Sequence, residues 1–302
     1  MRFNPKADIS GGRVTDVRGG GGGGAMGNLP LGSITGGGIG TTIVVIIIYV
    51  IVQLAGGGSA GTGSSGPAET TDRYAACKTG ADANKSADCA RRAVELSLER
   101  YWATVLPRQT SKQLQPTQIV TFTGGTSTGC GPASADVGPF YCPTDQTIYL
   151  DTTFFQDVLE GQLGGKGGDF VEPYVIAHEF GHHIQNLLGT MGRVRTQTGP
   201  TSDSVRLELQ ADCYAGMWTR GATGTTDQNG VQIFESIDEG DITEALDSAK
   251  AVGDDRIQKR GGGDVNPEQW THGSSDERMR WFTTGYNATD IKQCDTFSTD
   301  NL

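Results

Sequence analysis

Two hydrophobic patterns divide the chain. Residues 39–55 read Ile-Gly-Thr-Thr-Ile-Val-Val-Ile-Ile-Ile-Tyr-Val-Ile-Val-Gln-Leu-Ala without a charge, and Gly36 to Gly38 lengthen the uncharged span to 20 residues. A helix that crosses a bilayer needs about 20 such residues. The β-branched run would also suit a buried strand, but Gly-rich flanks offer it no sheet partner. A cleaved signal peptide would begin nearer Met1 and end at a small-x-small site. The pattern predicts a single N-terminal transmembrane helix over residues 36–55. A Gly-rich arm, residues 1–35, precedes it, and a flexible linker, residues 56–66, follows. Arg2, Lys6, Arg13 and Arg18 lie on the arm, whereas residues 56–68 carry no Lys or Arg. Positive charge stays inside, so the arm is expected in the cytoplasm and residues 67–302 outside it.

Past residue 67 the pattern becomes that of a folded domain. Residues 87–106 set Val94, Leu98, Tyr101, Trp102 and Val105 on one side of a helix that Pro107 is expected to end. Residues 117–123 alternate like a strand, and residues 146–151 read as a second, with a loop over 129–143 between them. Residues 169–188 form a helix, with Phe170, Tyr174, Ala177, Ile184 and Leu188 for its buried side and Gly189 at its C-cap. Asp203 or Ser204 can cap a helix running to about residue 220. Asp241-Ile242-Thr243-Glu244 opens another, and Ser274 or Ser275 a last one. Strands before the 169–188 helix and helices after it give an α+β domain. The 146–151 strand is the candidate edge along which an extended peptide could add.

Net charge is −11 with no basic stripe, which argues against a nucleic-acid partner. All six cysteines follow the apolar segment, and an even number outside a membrane points to disulfides. Close spacing favours Cys77–Cys89 and Cys130–Cys142, leaving Cys213–Cys294. No C-x-x-C pair exists, so a cysteine zinc site is not expected.

The chemistry lies in His178-Glu179-Phe180-Gly181-His182. Its histidines are i and i+4, hence on one helical face, where they can share a Zn²⁺, and Glu179 can reach a water on that metal. Catalytic zinc takes three protein ligands and keeps an open position. In one class of such peptidases Gly and His follow at fixed spacing, but Gln185 and Leu188 stand there. The other class takes a Glu from an E-x-x-x-D on a later helix, and Glu208-Leu209-Gln210-Ala211-Asp212 fits. Glu208 is the expected third ligand. Asp212 can accept the second ring N–H of a ligand histidine, His178 or else His182. His183 sits about 100° around the helix and is read as a packing residue. His272 is the only other histidine, and it is the candidate donor to a developing oxyanion. Arg278 and Arg280 are possible partners for site carboxylates.

With these motifs the chain resembles the "putative neutral zinc metallopeptidase" family of bacterial membrane-anchored proteins. Four stretches carry the likeness: Gly129-Cys130-Gly131-Pro132 with Gly138-Pro139-Phe140-Tyr141-Cys142-Pro143, then Ile148-Tyr149-Leu150-Asp151, His178 to Gln185, and Glu208 to Gly216. The N-terminal Met1-Arg2-Phe3 and its Gly-rich continuation are similar too. The resemblance implies a zincin-like fold and a bacterial origin, and supports zinc better than any substrate. The segment Thr271-His272-Gly273-Ser274 before Arg278 also resembles the histidine segment of HtpX-like and CAAX-processing membrane metallopeptidases.

The resulting expectation is a zinc metalloendopeptidase, one Zn²⁺ per chain, held by His178, His182 and Glu208. Glu179 and His272 would be catalytic and Asp212 supporting. It would act on a peptide or protein substrate outside a bacterial cell membrane, anchored by a single pass with its N-terminus cytoplasmic. The competing expectation is a non-catalytic, membrane-tethered envelope binding module with a structural metal. A cell-wall amidase would use the same ligands.

Overall fold

The computed structural model describes residues 1–18, 73–134 and 137–302. In chain order the elements are β1 (Arg2–Phe3), β2 (Val14–Asp16), α1 (Gly80–Ala83), α2 (Ala87–Gln109), β3 (Gln118–Phe122), β4 (Gly125–Thr128), β5 (Gly131–Ser134), β6 (Phe140–Cys142), β7 (Thr147–Asp151), α3 (Val171–Leu188), α4 (Asp203–Gly221), β8 (Phe234–Ser236), α5 (Glu239–Ala251), α6 (Asp254–Arg260) and α7 (Ser275–Asn287). The architecture is α+β, as expected. The main sheet runs β2-β3-β7-β6, with β2, β3 and β7 parallel and β6 antiparallel to β7.

Local sequence accounts for the helices. In α2 the positions Val94, Leu98, Trp102 and Leu106 recur every four residues and are all buried, the spacing that keeps them on one face. The helix runs through Pro107 to Gln109 instead of stopping. The carbonyl that loses its partner to the proline is that of Ala103, which is exposed, so water can satisfy it. Helix α3 and its N-cap Phe170 are buried along one side, with Tyr174, Ile176, Ala177, Phe180 and Ile184, and the helix ends at Gly189, whose φ of +79° suits glycine. Ser202 caps α4, one residue before the expected candidates, by accepting from the Val205 N–H. Asp238 caps α5 and Ser274 caps α7.

The helices that carry the later motifs touch backbone to backbone. A Cβ at Gly216 of α4 would lie 2.1 Å from the Phe282 carbonyl, and one at Gly285 of α7 would lie 1.8 Å from the Cys213 carbonyl. The Cys213–Cys294 disulfide ties the same helix to the chain beyond α7, and Cys77–Cys89 and Cys130–Cys142 are the other two bridges. All three pairings match the spacing argument.

Three expectations change. The 146–151 strand is not an edge: β7 lies between β3 and β6, and β6 is the outer strand. The expected loop over 129–143 holds β5 and β6, elements of four and three residues with too little alternation to register. Residues 1–18, expected as part of a separate cytoplasmic arm, are folded into the domain. Val14, Thr15 and Asp16 pair with Ile119, Val120 and Thr121, and β1 pairs with β8. Phe3, Ala7 and Ile9 are buried, and the Arg92 guanidinium binds the carbonyls of Ser10 and Gly12. Two strands of two and three residues, cut off by polyglycine, leave almost no sequence signal. The expected transmembrane segment 36–55 and linker 56–66 lie outside the described residues. Among the described residues no helix is long and apolar enough to cross a membrane.

Candidate active site

Helices α3 and α4 cross so that His178 and His182 of the first face Glu208 of the second. Their ligand atoms lie within 4.8 Å of one another, all three residues buried. His178 Nε2 is 3.1 Å from Glu208 Oε2, and His182 Nε2 is 3.4 Å from Glu208 Oε1. Tetrahedral ligands bonded to zinc at about 2.0 Å stand about 3.3 Å apart, so these separations suit one zinc ion. Gly181 permits the approach, since its Cβ would stand 3.0 Å from the Ala211 carbonyl.

Each histidine has its other nitrogen engaged. His178 Nδ1–H donates to Asp212 Oδ1 at 2.8 Å, and His182 Nδ1–H donates to Gln185 Oε1 at 2.8 Å. Each Nε2 is thereby turned to Glu208, where it can bind a metal once its own proton has left. Of the alternatives open for Asp212, His178 is the partner. Asp212 is held in turn by Tyr174 Oη at 2.6 Å and by Arg278, whose Nε and Nη2 donate to its two oxygens at 2.8 and 3.0 Å. Gln185 donates to the Leu207 carbonyl and to Gln210, whose amide donates to the Cys294 carbonyl. His183 points elsewhere, to Tyr141 Oη and the Gln115 carbonyl, so it packs and does not join the group. Arg280 is exposed.

The electrostatics favour a cation. Burial alone would strip the proton from His178, but Asp212 and then Glu208 outweigh it and carry its pKa to about 10. Burial would raise Asp212, yet Arg278 and His178 bring it down to about 2. Glu208 is held well below the usual carboxylate range by His182 and His178 despite burial. Two ionised carboxylates facing two imidazoles make a field that a divalent ion fits.

Glu179 and His272 line one cavity with His178, Glu208 and Arg278. Glu179 has its pKa raised by burial, moderated by His182 and His178. His272 is also buried. Its Nδ1 lies 3.1 Å from Asp254 Oδ1 and 2.8 Å from Thr271 Oγ1. The other oxygen of Asp254 accepts the backbone N–H groups of Thr271, His272 and Gly273 at 2.7 to 3.0 Å. One carboxylate thus fixes the loop and the ring together and leaves His272 Nε2 unengaged.

The profile of the family described as "Putative neutral zinc metallopeptidase" matches residues 1–297. The chain belongs to that family. A Mycobacterium tuberculosis (H37Rv) relative named "Uncharacterized protein Rv2575" is 48% identical over 247 residues, 79% of this chain and 82% of its own. The Escherichia coli (K12) relative "Uncharacterized protein YpfJ" is 45% identical over 192 residues, 62% of this chain and 63% of its own. No solved structure matches the chain. Zinc is the metal that the family description implies, and the donor set above fits it.

In this neutral zinc metallopeptidase family member, sequence reasoning missed Gln185, Asp254 and Tyr174. Gln185 stands three residues after His182, so its contact was visible in helical spacing. Asp254 lies 18 residues before His272 on a helix the pattern did not register, and no spacing rule links them.

Proposed function

We propose that this protein is a zinc metalloendopeptidase, in which His178, His182 and Glu208 hold one zinc ion. When bound, zinc supplies Lewis-acid chemistry, polarising the carbonyl under attack and acidifying the attacking water. Glu179 takes the proton from that water and returns it to the leaving amine, a role that its burial-raised pKa suits. His272 Nε2 is the hydrogen-bond donor to the oxyanion that develops at the scissile carbonyl, which requires a proton on Nε2 in addition to the Nδ1–H that faces Asp254. Asp212 and Gln185 keep the two histidines in the ligating tautomer. Edge strand β6 is the place for an extended substrate to add, since the cavity-lining residues Gly138 and Pro139 lead into it.

The observation that carries this reading is the three-member donor group beside an acid. Among the described residues the group contains His178, His182 and Glu208 alone, while His183 is engaged elsewhere. A structural zinc is closed by a fourth protein ligand, so the binding-module alternative lacks support here. Glu179→Gln should bind zinc at one per chain and cleave peptides at least about a hundredfold more slowly than the native protein. Equal cleavage rates would overturn the mechanism, and absence of zinc from the folded native protein would overturn the site.

The three disulfides favour an oxidising compartment outside the cytoplasm, and the apolar run 36–55 supports attachment to a bacterial membrane. Because hydrogen-bonded strands share a compartment, residues 1–18 belong on the same side as the metal site, in place of the cytoplasmic N-terminus and single pass expected from the sequence.

A further inference from the structure

Beyond the metal-binding residues the lining of the cavity changes character. Its remaining wall is largely apolar, built from Val137, Phe154, Leu163, Val175, Val252 and Ile257 beside Gly138, Pro139 and Tyr174. We propose that this apolar recess receives an aliphatic side chain adjoining the scissile bond, and that Ile257 and Leu163 set the size accepted. The proposal rests on the peptidase reading of the site and names its substrate class: polypeptide with valine, leucine or isoleucine beside the cut.

Charge decides what cannot enter. The arginine on the wall, Arg278, has Nε and Nη2 committed to Asp212 and Nη1 turned to the Val252 carbonyl. The acids, Glu179 and Glu208, are engaged in proton transfer and metal binding. A charged side chain would therefore be buried with no partner left for it, an arrangement that proteins avoid. Size decides among the rest. The cavity measures about 100 Å³, whereas an engineered apolar cavity of roughly 150 Å³ binds benzene. Because that volume is shared with the metal-facing wall, the recess takes a branched aliphatic group more readily than an aromatic ring.

The recess is held in shape. Arg256 donates to the Gly164 carbonyl at 2.7 Å and Arg260 to the Gln162 carbonyl at 2.9 Å, on either side of Leu163. Both arginines belong to α6, the helix that presents Ile257 and begins at Asp254, the residue gripping His272. At the rim Gly138, with φ of +69°, lies against the Phe154 ring; a Cβ there would stand 3.0 Å from it. One short helix thus presents both a wall residue of the recess, Ile257, and the anchor of the proposed oxyanion donor, so filling the recess aligns the scissile carbonyl with His272.

A library of unstructured peptides tests this with the native protein, Ile257→Ala, Ile257→Phe and Val137→Phe. The native protein should favour Val, Leu or Ile over Gly, Asp or Lys at one position beside the cut by at least about tenfold in kcat/KM. Ile257→Phe should move the optimum to Ala or Gly, and Ile257→Ala should move it to Phe. Val137→Phe, on the rim loop, reports the same narrowing if the Ile257 variants do not fold. Cleavage without side-chain preference, or with preference for a charge, would overturn the recess and leave the peptidase reading intact. A binding assay separates the two in the other direction. Zinc-loaded Glu179→Gln is mixed with two peptide hydroxamates, one bearing an isobutyl and one a carboxymethyl side chain, and thermal stability is read. Greater stabilisation by the isobutyl compound supports the recess even if no peptide is cut. Equal stabilisation, or greater stabilisation by the carboxymethyl compound, overturns it.

Discussion

At the residue scale the site is a set of carboxylates and amides that fix rings. Asp254 is the sharpest case, because its two oxygens serve one imidazole and three backbone N–H groups. Asp254→Asn should lower kcat by about ten- to a hundredfold with zinc content unchanged. Added to His272→Ala it should cost little more, since both act through one ring. Loss of zinc or of the fold in Asp254→Asn would instead mark the residue as purely structural. Away from the site, Glu95 in α2 is fully buried with one oxygen unpartnered and the other accepting the Arg13 backbone N–H. Burial raises its pKa from 4.5 to about 8, against the pull of that N–H. Between these values the native protein holds a proton that the unfolded chain has released. Its contribution to stability is fully present below about pH 4.5, falls as pH rises, and is flat above about 8. Urea unfolding of Glu95→Gln should therefore show a stability difference from native that grows in the variant's favour from pH 4.5 to 8 and then levels. The change should be on the order of a few kcal/mol. A constant difference across that range would show that Glu95 does not titrate as its burial implies.

At the element scale, α4 and α7 are set by glycine. Gly285→Ala drives a methyl into the Cys213 carbonyl, next to Asp212, and neither helix can yield without shifting Arg278 or Glu208. The expected cost is about 1–3 kcal/mol of stability with weakened zinc binding, read by calorimetry and by zinc titration. Stability and zinc affinity both unchanged would mean that the helix spacing does not govern the site. Helices of this length were legible in the sequence because thirteen to twenty-three residues give periodicity room to show. The pairs His178/His182 and Glu208/Asp212 were legible for the same reason, each standing at i and i+4. What escaped was short or non-local. β5, β6 and α6 are elements of three to seven residues, and β7 reads as a strand without revealing its neighbours. Edge or interior is decided by which other strands arrive, information that no single strand carries.

At the scale of the whole molecule the first eighteen residues belong to the same folded body as the candidate site. Removing residues 1–18 strips β2 from β3, uncovers the apolar residues beneath Phe3 and Ile9, and opens a new sheet edge. A chain begun at residue 67 should be aggregation-prone and melt well below the full-length protein, as gel filtration and thermal unfolding would show. A monomeric fragment melting with the native protein would make the N-terminal strands dispensable. The disulfides act against such losses. By chain-closure entropy the twelve-residue loops contribute about 3 kcal/mol each and the 81-residue loop over 4.

The pairing of β2 with β3 also bears on how the protein is made. Strand β2 is partnered by residues that follow about a hundred positions later and so leave the ribosome after it. Val14–Asp16 must wait, unpaired, until Ile119–Thr121 has been synthesised and delivered to the same compartment. Order of synthesis and order of assembly therefore run against each other. The sheet that abuts α3 closes late, and for that interval a nascent chain has an open edge for chaperones to guard.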